Sequence, residues 1–293
     1  MIRTADADIL ARIRQIELRA RGVVETYLAG MHRSLRQGFA VEFAQHREYT
    51  PGDDIKHLDW KVYARAERYY LKQYELETQL TGYVVVDGSE SMAYTSATLS
   101  KYDHACTAAL AFSYLMVQQS DAIGVAWFDE QLRHVLPPGS RPSHLKEVGR
   151  LLAGKPGGQK TQTGAILHQL AERLPRRGVV MIFSDAFDDL EMIKSGLKHL
   201  RHAGHEMVWF HTLDAAELDF PFQQSTLFRG LEQEPDLLTD PRGIRDAYLT
   251  EFNAFCTQLE RMCRDLRCDY VLLRSDRDLG RTLAQYLSQR AGR

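Results

Sequence analysis

Three short segments of this chain put oxygen donors at the ends of apolar runs. The first, Thr81 to Met92, reads Thr-Gly-Tyr-Val-Val-Val-Asp-Gly-Ser-Glu-Ser-Met. Its unbroken run Tyr83 to Val86 suits a strand covered on both faces, as the strands of parallel sheets are. Asp87, Ser89 and Ser91 then follow at every second position, and in a tight loop that spacing turns one carboxylate and two hydroxyls toward a common point. All three are hard donors, so the chemistry they suit is binding of magnesium or a similar cation. Farther on, Thr161 and Thr163 sit in Lys160-Thr161-Gln162-Thr163-Gly164, and Asp185 follows the apolar run Val179 to Phe183. Two carboxylates brought within about 4 Å repel by about 4 kcal/mol at an effective dielectric near 20. Either a cation lies between them or one is protonated.

The elements that position these donors follow from the periodicity. From residue 79 onward apolar strand-like runs alternate with helical segments, which indicates a doubly wound α/β sheet whose ligand crevice lies beyond the carboxyl ends of its strands. All three segments fall at such ends. Ser100 to Gln119 reads as an apolar helix against the sheet, and Asp188 with Glu191 fits a capping box for the helix reaching His202. A peripheral insertion at about 214–241 interrupts the rhythm. Residues 1–78 read as a small α+β region packed on the sheet: a helix over Asp6 to Ala20, short strands over Tyr27 to Arg33 and Phe39 to Phe43, and a turn at Thr50-Pro51-Gly52-Asp53. A short helix and a strand follow within Asp59 to Tyr74.

Composition narrows the function classes. At 293 residues, 44% hydrophobic and 26% charged, the chain has the makeup of an ordinary globular protein. A formal net charge of -2 offers no general attraction to nucleic acid or anionic membrane. No apolar run approaches the roughly 18–20 residues that span a bilayer, and the N-terminus lacks the apolar core of a signal peptide, so cytoplasm is the expected compartment. The four cysteines form no C-x-x-C pair and read as buried thiols. Gly154-Lys155-Pro156-Gly157-Gly158 lacks the spacing and terminal Lys-Ser/Thr of a nucleotide-binding loop.

The segments Val-Val-Val-Asp-Gly-Ser-Glu-Ser-Met, Gly-Gly-Gln-Lys-Thr-Gln-Thr-Gly and Phe-Ser-Asp together resemble a von Willebrand factor type A domain with its metal-ion-dependent adhesion site. That resemblance implies a doubly wound, mainly parallel sheet and assigns Asp87, Ser89, Ser91, Thr161 and Asp185 to a magnesium ion, or to manganese or calcium in its place. A partner's acidic residue completes the coordination in that family. Gln162 departs from the Asp or Asn that often follows the loop threonine. Upstream, Gly38 to Phe43, Arg47-Glu48-Tyr49, Pro51-Gly52-Asp53-Asp54, Leu58-Asp59-Trp60 and Ala64-Arg65 are similar to the bacterial family catalogued as domain of unknown function 58. Its members carry a von Willebrand type A fold and are associated with MoxR-type AAA+ ATPases.

The resemblance implies a non-enzymatic, cation-dependent adaptor that joins a MoxR-type ATPase to a client protein in assembly or maturation. The alternative is a magnesium-dependent hydrolase or phosphatase with Asp87 as nucleophile. Such enzymes place a second carboxylate two residues on for proton transfer, where this chain has Ser89. Arg47, Asp53, Asp54, Asp59, Trp60 and Arg65 read as ion pairs and a buried indole docking the N-terminal region, with the exposed members open to a partner. His199 and His202 fall in a helix's last turns, where a cationic side chain suits the dipole, rather than in a metal site.

Overall fold

The computed structural model describes residues 4–34, 46–48, 70–72, 80–157, 162–230 and 235–291. The chain divides into two compact units, Met1–Ala29 with Leu80–Arg293, and Gly30–Gln79. The sequence places a boundary near residue 78, whereas this division puts the first 29 residues with the sheet.

The first helix, α1 (Thr4–Ser34), is longer than the expected Asp6 to Ala20 and includes the Tyr27 to Arg33 stretch read as a strand. The reason is that the helical stripe does not stop at Ala20: Ile16, Ala20 and Val24, spaced four apart, are all buried, and Tyr27 packs against the same core. Arg12 pairs with Asp103 at 3.0 Å along this contact. In the second unit, β1 (His46–Glu48) pairs antiparallel with β2 (Tyr70–Lys72), with Arg47 opposite Leu71. The expected strand at Phe39 to Phe43 and the residues Asp53, Asp54, Asp59, Trp60 and Arg65 lie outside the described residues.

The larger unit is a mixed α/β layer with a mainly parallel sheet. Its strands are β3 (Thr81–Asp87), β4 (Ala122–Phe128), β5 (Leu132–Gly139), β6 (Val179–Ser184), β7 (Glu206–Leu213) and, beyond a small hairpin of β8 (Thr226–Phe228) and β9 (Leu237–Thr239), β10 (Cys268–Arg274). They lie in the order β10-β7-β6-β3-β4-β5, parallel except for the edge strand β5. The helices are α2 (Lys101–Gln118), α3 (Pro142–Leu152), α4 (Thr163–Arg173), α5 (Leu190–His202), the short α6 (Ala215–Asp219), α7 (Pro241–Asp265) and α8 (Leu279–Ala291).

Both faces of the sheet are covered, and β3 shows why its run has no polar alternation. Val84 and Val86 join the core under α1, α2, α3 and α8, while Tyr83 and Val85 join the one under α4, α5 and α7. From β3 the chain steps outward to β4 and β5, then returns to the other side of β3 for β6. A reversal of this kind, here at the carboxyl ends of β3 and β6, is the place where open α/β sheets bind ligands in a crevice. Among the described residues, no helix is long and apolar enough to cross a membrane.

Candidate functional site

Asp87 ends β3 and Asp185 follows β6, so the switch in strand order sets two carboxylates on either side of one crevice. Asp87 is buried, and its bonds come from the loop itself. Its Oδ1 accepts the Ser89 N–H at 2.9 Å, and its Oδ2 accepts the Ser184 hydroxyl at 2.7 Å. Ser184 Oγ in turn accepts the Ala186 N–H at 3.0 Å. Ala186 holds φ at 60°, a conformation that costs a non-glycine residue about 1–2 kcal/mol. This strained turn fixes the direction in which Asp185 leaves the strand.

Ser89 and Ser91 are buried beside Asp87, with their hydroxyls 3.0 Å apart. The loop's shape depends on Gly88: a Cβ there would sit 2.3 Å from Trp127 Cζ2. Displacing Trp127 would disturb the bond that its indole N–H donates to Tyr102 Oη at 2.9 Å. Gly88→Ala is therefore expected to destabilise the protein by about 1–3 kcal/mol through forced displacement of the indole. A denaturant midpoint equal to that of the wild type would show that the loop moves freely instead.

Burial, and next the charge of Asp185, push the Asp87 carboxyl up to about 7. A second compensation reaches Asp185 from α2. Lys101, fully buried at the first position of that helix, donates to Asp185 Oδ2 at 2.8 Å and to Glu217 Oε1 at 2.7 Å. A helix N-terminus disfavours a cation, so the two carboxylates are what hold this ammonium in place. Burial acts to depress the Lys101 pKa, and Asp185 and Glu217 outweigh it, holding it up to about 12. Burial raises the Glu217 carboxyl, with Lys101 opposing.

Glu217 belongs to a capping box on α6: Asp214 Oδ1 accepts the Ala216 N–H at 2.8 Å, and Glu217 Oε2 accepts the Asp214 N–H at 2.7 Å. Asp214 also binds the Ser96 N–H at 3.1 Å and the Ser275 hydroxyl at 2.9 Å. Burial acts to raise its carboxyl, and these bonds keep it below the usual carboxylate range. The loop after β3 is thereby tied to the ends of β7 and β10. Behind Asp185, burial lowers His211 to about 4. The neutral ring donates from Nε2 to the Asp185 carbonyl at 3.0 Å and accepts the Tyr270 hydroxyl on Nδ1 at 2.8 Å.

The expected donors are thus brought together in part. Asp87, Ser89 and Ser91 are adjacent; Asp185 lies within electrostatic reach of Asp87 and is held by Lys101; Thr161 lies outside the described residues. Thr163, at the start of α4, is buried with no hydrogen-bond partner for its hydroxyl among the described residues. Gly164 N–H donates to Asp188 Oδ2 at 3.3 Å, tying this helix start to the loop after β6. Asp188 consequently does not cap α5 as expected. Asp189 does, accepting the Glu191 and Met192 N–H groups, because Asp188 is turned toward α4.

No three His, Cys, Asp or Glu side chains among the described residues are grouped to hold a metal. The donor set is of another kind, one carboxylate with neighbouring hydroxyls. Its all-oxygen chemistry, the costly buried charge of Asp87 and the orphaned Thr163 hydroxyl fit a hard cation. Lys101, Glu217, Ser184 and Asp214 join the site through contacts between segments far apart in sequence, which no local motif announces.

The profile of the family described as "Protein of unknown function DUF58" matches residues 45–255. Uncharacterized proteins of Mycobacterium bovis and Mycobacterium tuberculosis are each 25% identical over 290 residues, covering 97% of this chain and 90% of theirs. Among solved structures, a conserved hypothetical protein BatB from Bacteroides thetaiotaomicron aligns over 73% of this chain and 100% of its own, at 15% identity and a TM-score of 0.49. An aerotolerance-related membrane protein from Bacteroides fragilis aligns over 72% and 97%, at 16% identity and 0.47.

Proposed function

This chain belongs to the family of proteins of unknown function DUF58, and we propose that it is a non-enzymatic protein-binding module that holds a divalent cation, magnesium in the first instance, for a partner's carboxylate. The observation that carries this reading is the buried Asp87 with Ser89 and Ser91 at the crevice between β3 and β6. Buried charge without a counter-ion is costly, and the groups around Asp87 are hydroxyls and N–H donors rather than a cationic side chain.

Asp87, Ser89 and Ser91 would hold the ion, joined by Thr161 or Thr163 and by Asp185. A parallel sheet with one antiparallel edge strand supports a von Willebrand factor type A architecture. The bound ion supplies a positive centre for an incoming carboxylate. The protein's own groups orient it: Ser184 fixes the Asp87 carboxylate, and Lys101 with His211 fixes Asp185. The partner we assign is a MoxR-type AAA+ ATPase together with a client protein, on the resemblance of the upstream segments. The hydrolase alternative is not favoured, since Ser89 stands where a proton-transfer carboxylate is needed and its hydroxyl faces Ser91.

The test is binding of the full chain to the cell's own MoxR-type ATPase, in magnesium and in chelator, for the wild type and Asp87→Ala. A loss of about tenfold or more in affinity, about 1.4 kcal/mol, is expected from either change. Equal affinity in all four conditions would remove the cation from the mechanism. Magnesium-dependent phosphatase turnover abolished in Asp87→Ala would turn the reading to the enzyme.

A further inference from the structure

The aromatic side chains near the crevice form a line that leads away from it. Lys101 Nζ lies 4.8 Å from the Phe187 ring centre, and Phe187 meets Phe252 at 6.2 Å. Phe252 stacks on Tyr248 at 5.4 Å, Tyr248 meets Phe220 at 4.6 Å, and Phe220 meets Phe222 at 5.2 Å and Phe228 at 5.8 Å. The far end of this line floors a groove of about 570 Å³ between the β8–β9 hairpin, α6 and α7. Two of its lining residues also belong to the crevice. Glu217 bonds Lys101, and Tyr94 donates its N–H to the Ser91 carbonyl at 3.1 Å while its own carbonyl accepts the Lys101 N–H at 3.0 Å. The groove begins where the crevice ends.

Its outer wall is apolar and open to solvent. Leu227 and Leu237 line it at 48% and 54% exposure, and Leu238 beside them reaches 72%. Clustered exposure of this kind marks an interaction site, unlike scattered surface leucines. Charge then selects among occupants. Glu217 is committed to Lys101 and to the Asp214 N–H, so its carboxylate is answered from inside the protein. Arg229, which also lines the groove, forms no ion pair with another described residue, while the Asp236 carboxylate near it is engaged by the Gly230 N–H at 3.3 Å. The charge left to face an incoming segment is positive, which favours an acidic one.

We propose that the crevice and the groove are two halves of one surface for an acidic peptide segment of a partner protein. The segment places one carboxylate at the Asp87–Ser89–Ser91 site, seats a large apolar side chain against Phe220, Phe222 and Phe228, and sets a further acidic group against Arg229. This rests on the cation-dependent reading of the site given above. An aromatic-lined pocket anchors such a segment, and the charges fix its direction.

The probe is a random linear peptide library panned on the full chain in magnesium, followed by anisotropy titration of the recovered peptides. Wild type is compared with Leu227→Ser, Arg229→Glu and Asp87→Ala, and unchanged thermal midpoints for the two exposed hairpin variants show that the fold is intact. The recovered peptides are expected to pair an acidic residue with Phe, Trp or Leu at a fixed spacing. Leu227→Ser, Arg229→Glu and Asp87→Ala should each weaken binding about tenfold or more, as hot-spot losses do. Sensitivity to Asp87→Ala alone overturns the groove and leaves the cation site standing. Sensitivity to the hairpin variants alone, with chelator without effect, overturns the joint surface by removing the cation half. Peptides without the acidic and apolar pair, or a free chain whose self-association is broken by Leu227→Ser, overturn the proposed occupant.

Discussion

Replacing Lys101 with methionine is expected to cost about 3–5 kcal/mol of stability, the range for removing one partner of a buried ion pair. At about 2–4 °C per kcal/mol for a chain of this order, the thermal midpoint should fall by roughly 10 °C. Methionine has a similar volume, so the loss reports charge rather than packing. The ammonium at present lies 2.8 Å from Asp185 and 2.7 Å from Glu217, fully buried. Its removal leaves two carboxylates facing one another with Asp87 close behind. The pair's contribution is fully present at neutral pH, because the Lys101 pKa is raised above its ordinary value and the stabilisation is lost only as pH climbs through about 12. Adding Glu217→Gln to Lys101→Met should recover part of the loss, since it removes one of the stranded charges; the two changes share a network and will not add. Magnesium should also raise the midpoint of Lys101→Met more than that of the wild type, because Asp185 is released to the ion. A Lys101→Met midpoint within error of the wild type would discard the ion-triad account.

Lys101 also marks the limit of what the sequence discloses. The Asp87, Ser89 and Ser91 set was legible because alternate oxygen donors after an apolar run have few other uses, and the alternation of strands and helices located it at a strand end. Lys101 is hidden by its neighbours: in Ser-Lys-Tyr-Asp-His at a helix start it follows Ser100, the residue that caps the helix by accepting the Asp103 N–H. The signal that was present is a cation at a helix N-terminus, the wrong end for the dipole. Asp214-Ala-Ala-Glu217 likewise fits the capping pattern, yet a helix of only five residues is too short to show periodicity and reads as part of the insertion. The reading of Tyr27 to Arg33 as a strand failed for the opposite reason. Its Tyr-Leu-Ala-Gly-Met has no strong local preference, and continuation of the α1 stripe through Val24 to Tyr27 decided the matter. Pairings such as Ser184 with Asp87, 97 positions apart, follow only from the sheet order.

Asp87→Asn is expected to make the cation-free protein more stable than the wild type at pH 8, and to remove its response to magnesium. The folded Asp87 carboxyl is raised to about 7 from an ordinary 3.8, so between those values the folded state binds more protons than the unfolded one. Stability from this group therefore falls as pH rises through that window and stays low above about 7. Over the whole window the loss is at most about 4 kcal/mol, from 1.36 kcal/mol for each unit. The wild-type profile alone does not display this slope. His211 and His104, both lowered to about 4 by burial, bind more protons when unfolded between about 4 and 6.5, and their stabilisation grows with pH there. The difference between wild type and Asp87→Asn cancels the histidines. That difference should be small near pH 4, widen in favour of asparagine up to about pH 7, and stay constant above. Asparagine keeps the local bonds, since its oxygen accepts from the Ser89 N–H and its amide donates to Ser184 Oγ. Added magnesium should close the gap at pH 8 by stabilising the wild type alone, because a ligand that binds only the folded state raises stability by mass action. A flat difference across pH would mean that the Asp87 charge is already compensated within the fold, and an equal magnesium response in both proteins would place the ion elsewhere.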